Sequence, residues 1–138
     1  MDLSRIDEIQ DRIRAVRDHV LDVELVVMFG STVKGRRRAE SDVDVAVRCV
    51  GPADLDVVHG VLAPVLGTDR LDLVDLRRVS PLLAMEVARS GRLLYESRSG
   101  TFRQFQSLAS RRYCDTAKLR RARRRAIHVF LARHHLSL

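Results

Sequence analysis

A Gly30-Ser31 dipeptide closes one short apolar run, LVVMF at 25–29, and after ten further residues Asp42-Val43-Asp44 opens another, ending at Val47. Runs this short, rich in β-branched residues and bounded by turn signals, read as strands. Gly30-Ser31 therefore falls at a strand end, where backbone amides and a hydroxyl can be aimed at phosphate oxygens. Asp42 and Asp44, two residues apart on a strand, point to the same face. Such a pair can hold hard cations through oxygen, which phosphoryl or nucleotidyl transfer requires. The juxtaposition suggests an enzyme that handles a nucleoside triphosphate.

The remaining chain alternates helical and strand patterns. Ile6, Ile9, Ile13, Val16 and Val20 recur at helical spacing, so an amphipathic helix is expected over 4–21. Strands are expected at 24–29 and 42–48, the second with Val43, Val45 and Val47 facing the core and Asp42, Asp44 and Ala46 facing a cleft. A short helical turn at 32–35 and a basic loop at 35–41 would connect them. Leu55, Val58, Val61, Leu62 and Val65 mark a helix stopped near Gly67. A third strand follows at 71–76, then a helix at 81–90 between Ser80-Pro81 and Gly91, then a fourth strand at 92–95. Phe102, Phe105, Leu108, Leu119, Ala122, Ile127 and Phe130 would form the apolar face of one or two terminal helices. The pattern is α/β or α+β, with a mixed sheet of four or five strands flanked by helices.

At 138 residues, one domain over 1–138 is expected, a catalytic core at 1–96 followed by a helical segment at 97–138. Charge separates the two parts. Residues 1–96 carry fourteen Lys/Arg against seventeen Asp/Glu, a net of −3, and residues 97–138 carry eleven against one, a net of +10. No apolar run approaches the roughly 20 residues of a membrane span, and the polar start lacks a signal-peptide core. Cys49 and Cys114 have no metal-ligand spacing and read as reduced thiols, so a cytoplasmic location is expected.

A third carboxylate would complete a two-metal site. Asp72 and Asp75 both lie on the third strand, three apart, so only one can join the pair. Alternation leaves the choice open, because the two faces of LDLVDL are equally apolar.

The segment VVMFGSTVKGRRRAESDVDVAV resembles the G-S-x10-D-x-D signature of the minimal nucleotidyltransferases of the DNA polymerase β-like superfamily, and within them the antitoxin branch of MntA type. LDLVDLRRVSPLLAMEVARSGRLLYE is similar to that family's third-carboxylate strand, the following helix and the last strand. The resemblance implies the nucleotidyltransferase fold. It also implies transfer of AMP from ATP to a tyrosine of a partner HEPN-type (HepT-like) toxin, with two Mg²⁺ ions. By the same resemblance Asp42, Asp44 and Asp72 are the metal-binding and catalytic acids, with Asp75 the alternative to Asp72. Gly30, Ser31, Lys34 and Ser41 become the nucleotide-binding set. The family's larger relatives carry extra domains to hold an acceptor, which this chain lacks, so a protein acceptor is expected. A small-molecule (aminoglycoside-like) nucleotidyltransferase is the first alternative. A catalytically idle nucleic-acid-binding module driven by the basic segment is the second, and the clustered acids argue against it by repelling phosphate. Arg111, Arg112, Lys118, Arg120, Arg121, Arg123, Arg124 and Arg125, with only Asp115 between them, are expected to dock the acidic partner.

Overall fold

The computed structural model describes residues 6–16, 22–30 and 42–134. Its elements, in chain order, are α1 (Ile6–Val16), β1 (Val23–Phe29), β2 (Val43–Cys49), α2 (Leu55–Leu66), β3 (Leu71–Asp75), α3 (Pro81–Ser90), β4 (Arg92–Glu96) and α4 (Thr101–Arg133). The expected turn at 32–35, the basic loop and both ends of the first helix lie outside the described residues.

The four strands form one mixed sheet in the order β3-β2-β1-β4. β1 runs antiparallel to both β2 and β4, and β3 runs parallel to β2. β1 reads as an unbroken apolar run because both of its faces are covered. Val26 and Met28 join one buried cluster with Ile9 and Ile13 of α1 and Val58 and Leu62 of α2. Leu25, Val27 and Phe29 join a second, with Ala84 and Val87 of α3 and Phe105 and Ala109 of α4. Each fully buried Val or Leu contributes about 1.5–3 kcal/mol, so the two clusters clamp the sheet from both sides.

The helix boundaries have local causes. Asp54 accepts from the Asp56 and Val57 amides at the start of α2, and Gly67, at φ +72°, ends it in the left-handed region that favours glycine. Ser80 accepts from the Leu83 amide at 3.2 Å, ahead of Pro81 in the first turn of α3. Gly91 has an ordinary φ of −71°, yet a Cβ there would overlap the Val87 carbonyl oxygen and lie 2.5 Å from Val27 Cγ1. The last turn of α3 at Val87 and the packing of β1 at Val27 together leave no space for a Cβ, which is what requires glycine there. Glu96 accepts from the Gly100 and Phe102 amides at 3.3 and 2.9 Å, which neutralises the start of α4.

Two expectations are corrected. Ala46 does not face a cleft: it is fully buried beneath α3 and α4, which separates the Asp44 end of that face from the Arg48 end. The terminal segment is one continuous helix, and its apolar residues do not form a single buried face. Phe105 and Ala109 are buried and Phe102 packs beside them, but Leu119 is 70% and Phe130 56% exposed, with Leu108 and Ile127 also exposed. A 33-residue helix spans about 50 Å, longer than the sheet it packs on, so its second half runs past the core. Arg120 folds back over Tyr113 at 4.1 Å from the ring centroid, and Phe130 stacks on His134.

Candidate active site

Three elements converge at one end of the sheet. β1 ends at Phe29, which pairs with Asp44 of β2, and Asp44 pairs with Asp72 of β3. Gly30, at φ +78°, turns the chain off β1 directly beside Asp44. A Cβ on Gly30 would overlap Asp44 Oδ2 and sit 3.2 Å from its Cγ, so glycine is required by conformation and by space.

Register answers what alternation left open. The parallel pairing puts Asp72 next to Asp44 and Asp75 next to Val47. Asp72 therefore stands on the Asp44 face, and Asp75 on the face of the α1/α2 cluster. Asp75 is buried, and its Oδ1 accepts from the Arg77 amide at 3.0 Å. Its negative charge also assists burial in raising the Cys49 thiol.

The Asp44 carboxyl titrates above its ordinary value of 3.8. Burial is the first cause, followed by the charges of Asp72, Asp42 and Glu86 and by a hydrogen bond to Asp72 that favours the protonated form. Asp42, just ahead of β2, is exposed. Among the described residues, no three His, Cys, Asp or Glu side chains are gathered closely enough to cage an ion as they stand. The negative charges of Asp72, Asp42 and Glu86 all bear on Asp44, and this repulsion opposes a tighter gathering of the acids. A divalent cation would offset that repulsion, and an all-oxygen set of carboxylates is the donor chemistry Mg²⁺ takes. Asp42, Asp44 and Asp72 thus fit the metal.

Glu86 escaped the sequence reading. α3 packs on the Asp44 face of the sheet, which brings this exposed acid within electrostatic reach of Asp44. The available signal was that it is the lone acid of α3. Ser31, Lys34 and Ser41, and Arg36, Arg37 and Arg38 of the basic loop, lie outside the described residues.

A glycine turn beside register-matched acids on a mixed sheet defines a nucleotidyltransferase. The family model for "Polymerase beta, Nucleotidyltransferase" matches residues 11–99. A curated relative, Protein adenylyltransferase MntA of Aphanizomenon flos-aquae (strain 2012/KM1/D3), is 30% identical over 123 residues, covering 80% of this chain and 82% of the relative. The chain belongs to the polymerase-beta-type nucleotidyltransferases and, within them, to the family of the MntA protein adenylyltransferases. Among solved structures, a toxin–antitoxin complex with AMP-PNP superposes with a TM-score of 0.69 at 27% identity, over 86% of this chain and 98% of that one. A tri-AMPylated Shewanella oneidensis HEPN toxin in complex with its MNT antitoxin superposes at 0.58 and 25% identity, over 92% and 98%.

Proposed function

We propose that this chain is the antitoxin of a toxin–antitoxin pair and silences its partner by moving AMP from ATP to a tyrosine of a HEPN-type toxin. One observation carries the reading: the Phe29–Asp44–Asp72 register, which stands two carboxylates side by side next to the Gly30 turn. A binding module has no use for a half-buried Asp44 raised by its burial and by the acids gathered beside it. The relatives supply the substrate classes, since one solved complex holds an ATP analogue and another an AMPylated HEPN toxin.

In this proposal Asp42, Asp44 and Asp72 would hold two Mg²⁺ ions. An ion held by these acids would supply charge stabilisation for the triphosphate in the transition state. Gly30 brings the backbone against the phosphates, joined by Ser31, Lys34 and Ser41. Asp72, the exposed member of the adjacent pair, orients the acceptor hydroxyl and takes its proton as its oxygen attacks the α-phosphorus and pyrophosphate leaves. Asp75, on the opposite face, takes no part. The whole chain acts as one domain, with the basic stretch from Arg111 to Arg125 steering the acidic toxin toward it. Two unpaired cysteines, one buried and one exposed, suit a reducing cytoplasm, and among the described residues no helix is long and apolar enough to cross a membrane.

The test is to incubate the chain with α-labelled ATP, Mg²⁺ and the HEPN-type protein encoded beside it. Label should appear on a toxin tyrosine and pyrophosphate in solution, and Asp44→Ala should abolish both. Label on an aminoglycoside panel but not on the toxin would replace this reading with the small-molecule one.

A further inference from the structure

At the opposite end of the sheet from the carboxylates lies a cavity of about 350 Å³ that the nucleotidyltransfer reaction does not use. Arg48 lies four residues beyond Asp44 on β2, about 13 Å along the strand. Its Nε donates to Glu24 Oε2 at 2.8 Å, and the two side chains are only 22% and 27% exposed. Arg77 is held from behind, donating from Nε to the Cys49 carbonyl at 2.7 Å and from Nη2 to the Val50 carbonyl at 3.0 Å. Arg112 forms part of the wall on the α4 side, and among the described residues its guanidinium has no hydrogen-bond or ion-pair partner. The lining thus carries three guanidiniums against the single carboxylate of Glu24. Leu76, Phe105 and Leu108 supply apolar parts of the lining.

We infer that this cavity anchors a docking protein through an acidic side chain flanked by an apolar one. The carboxylate would be received by Arg48 and Arg112, and the apolar neighbour would cover Leu108. Guanidiniums take carboxylates in bidentate geometry, and Arg48, held by Glu24, is already fixed by the fold, so of the two receiving groups only Arg112 has to be ordered on binding. α4 lines the cavity through Phe105, Leu108, Ala109 and Arg112, and further along the same helix Leu119, Ile127 and Phe130 are exposed among its cations. A small anion would fill the cavity and leave those apolar groups in water, whereas a protein covers both. A second copy of this chain would set basic helix against basic helix, so the charge selects an acidic partner. An occupant at this end of the sheet also leaves the Gly30–Asp44 end open to ATP.

This inference rests on the proposal that a protein is the acceptor, and its test separates the two. Docking of the HEPN-type partner to the immobilised full chain is measured for the unsubstituted protein, Arg112→Glu and Arg112→Lys, with AMP-PNP affinity as the control for folding. Arg112→Glu should weaken docking at least tenfold and Arg112→Lys less, at unchanged AMP-PNP affinity. A benzophenone amino acid at Leu108 should cross-link to a partner segment containing Asp or Glu. Docking insensitive to Arg112→Glu, absent docking by the unsubstituted chain, or a cross-link to a segment without an acid would overturn the inference. Arg112-dependent binding of AMP or pyrophosphate by the chain alone would overturn it in favour of a small-anion site. If the partner docks through Arg112 but receives no AMP, the anchor stands and the transfer proposal fails. If AMP transfer proceeds equally with Arg112→Glu, the reverse holds.

Discussion

Gly30→Ala tests the link between the turn and the acid beside it. Gly30 sits at φ +78°, and an L-residue in that region costs about 1–2 kcal/mol. The new methyl would also overlap Asp44 Oδ2, while lying 3.4 Å from Asp44 Cβ, an ordinary contact. Only the carboxylate end has to move, so its rotation adds about 0.5–1.5 kcal/mol. The total of about 1.5–3.5 kcal/mol should lower Tm by roughly 4–15 °C in a protein of this size. In an Asp44→Ala background the overlap disappears and only the backbone cost remains. A double-mutant cycle by chemical unfolding should therefore return a coupling of about 0.5–1.5 kcal/mol. AMP transfer by Gly30→Ala should fall to the level of Asp44→Ala, because the acid is displaced. A Gly30→Ala protein that transfers AMP at near the normal rate, with a stability cost identical in both backgrounds, would refute the reasoning.

The raised Asp44 titration has a defined sign. The folded state binds more protons than the unfolded one between pH 3.8 and the higher folded value, so stability contributed by protonated Asp44 is present below that window and lost as pH rises through it. With divalent ions chelated, Asp44→Asn should be more stable than the parent at pH 7, the difference fading below about pH 3.8; urea midpoints across pH check this, and equal midpoints at pH 7 would contradict it. Asp72→Asn should slow single-turnover transfer roughly 10²–10⁴-fold, the range for a positioned acid or base, while Asp75→Asn stays within a few-fold. The reverse order would assign the third acid to the wrong strand face. Gly91→Ala should cost about 1–3 kcal/mol by overpacking, since its methyl meets the Val87 carbonyl and Val27; a thermal melt unchanged from the parent would show that α3 can lift off β1 freely.

The sequence by itself determined the elements and the nature of the chemistry. Local signals decide both: Ser80-Pro81 starts α3 at the expected residue, Gly67 stops α2, and β-branched runs make β1 and β2. Strand spacing led to the expectation that Asp42 and Asp44 share a face, whereas β2 begins only at Val43 and leaves Asp42 just ahead of it. Relations between elements were a different matter. Whether Asp72 or Asp75 stands beside Asp44 depends on the register of β3 against β2, a one-residue choice that two equally apolar faces cannot settle. Glu86 reaches Asp44 only because α3 folds back over that face, and Ala46 is buried only because α4 covers it. The cavity between Arg48, Arg77 and Arg112 joins residues of β1, β2, α3, α4 and the turn after β3. Least legible was the second half of α4: helical periodicity gives its residues an apolar stripe, but periodicity carries no information about where the sheet ends. Its length past the core, set by a rigid rise of about 1.5 Å per residue, is what leaves Leu119 and Phe130 in solvent among the arginines.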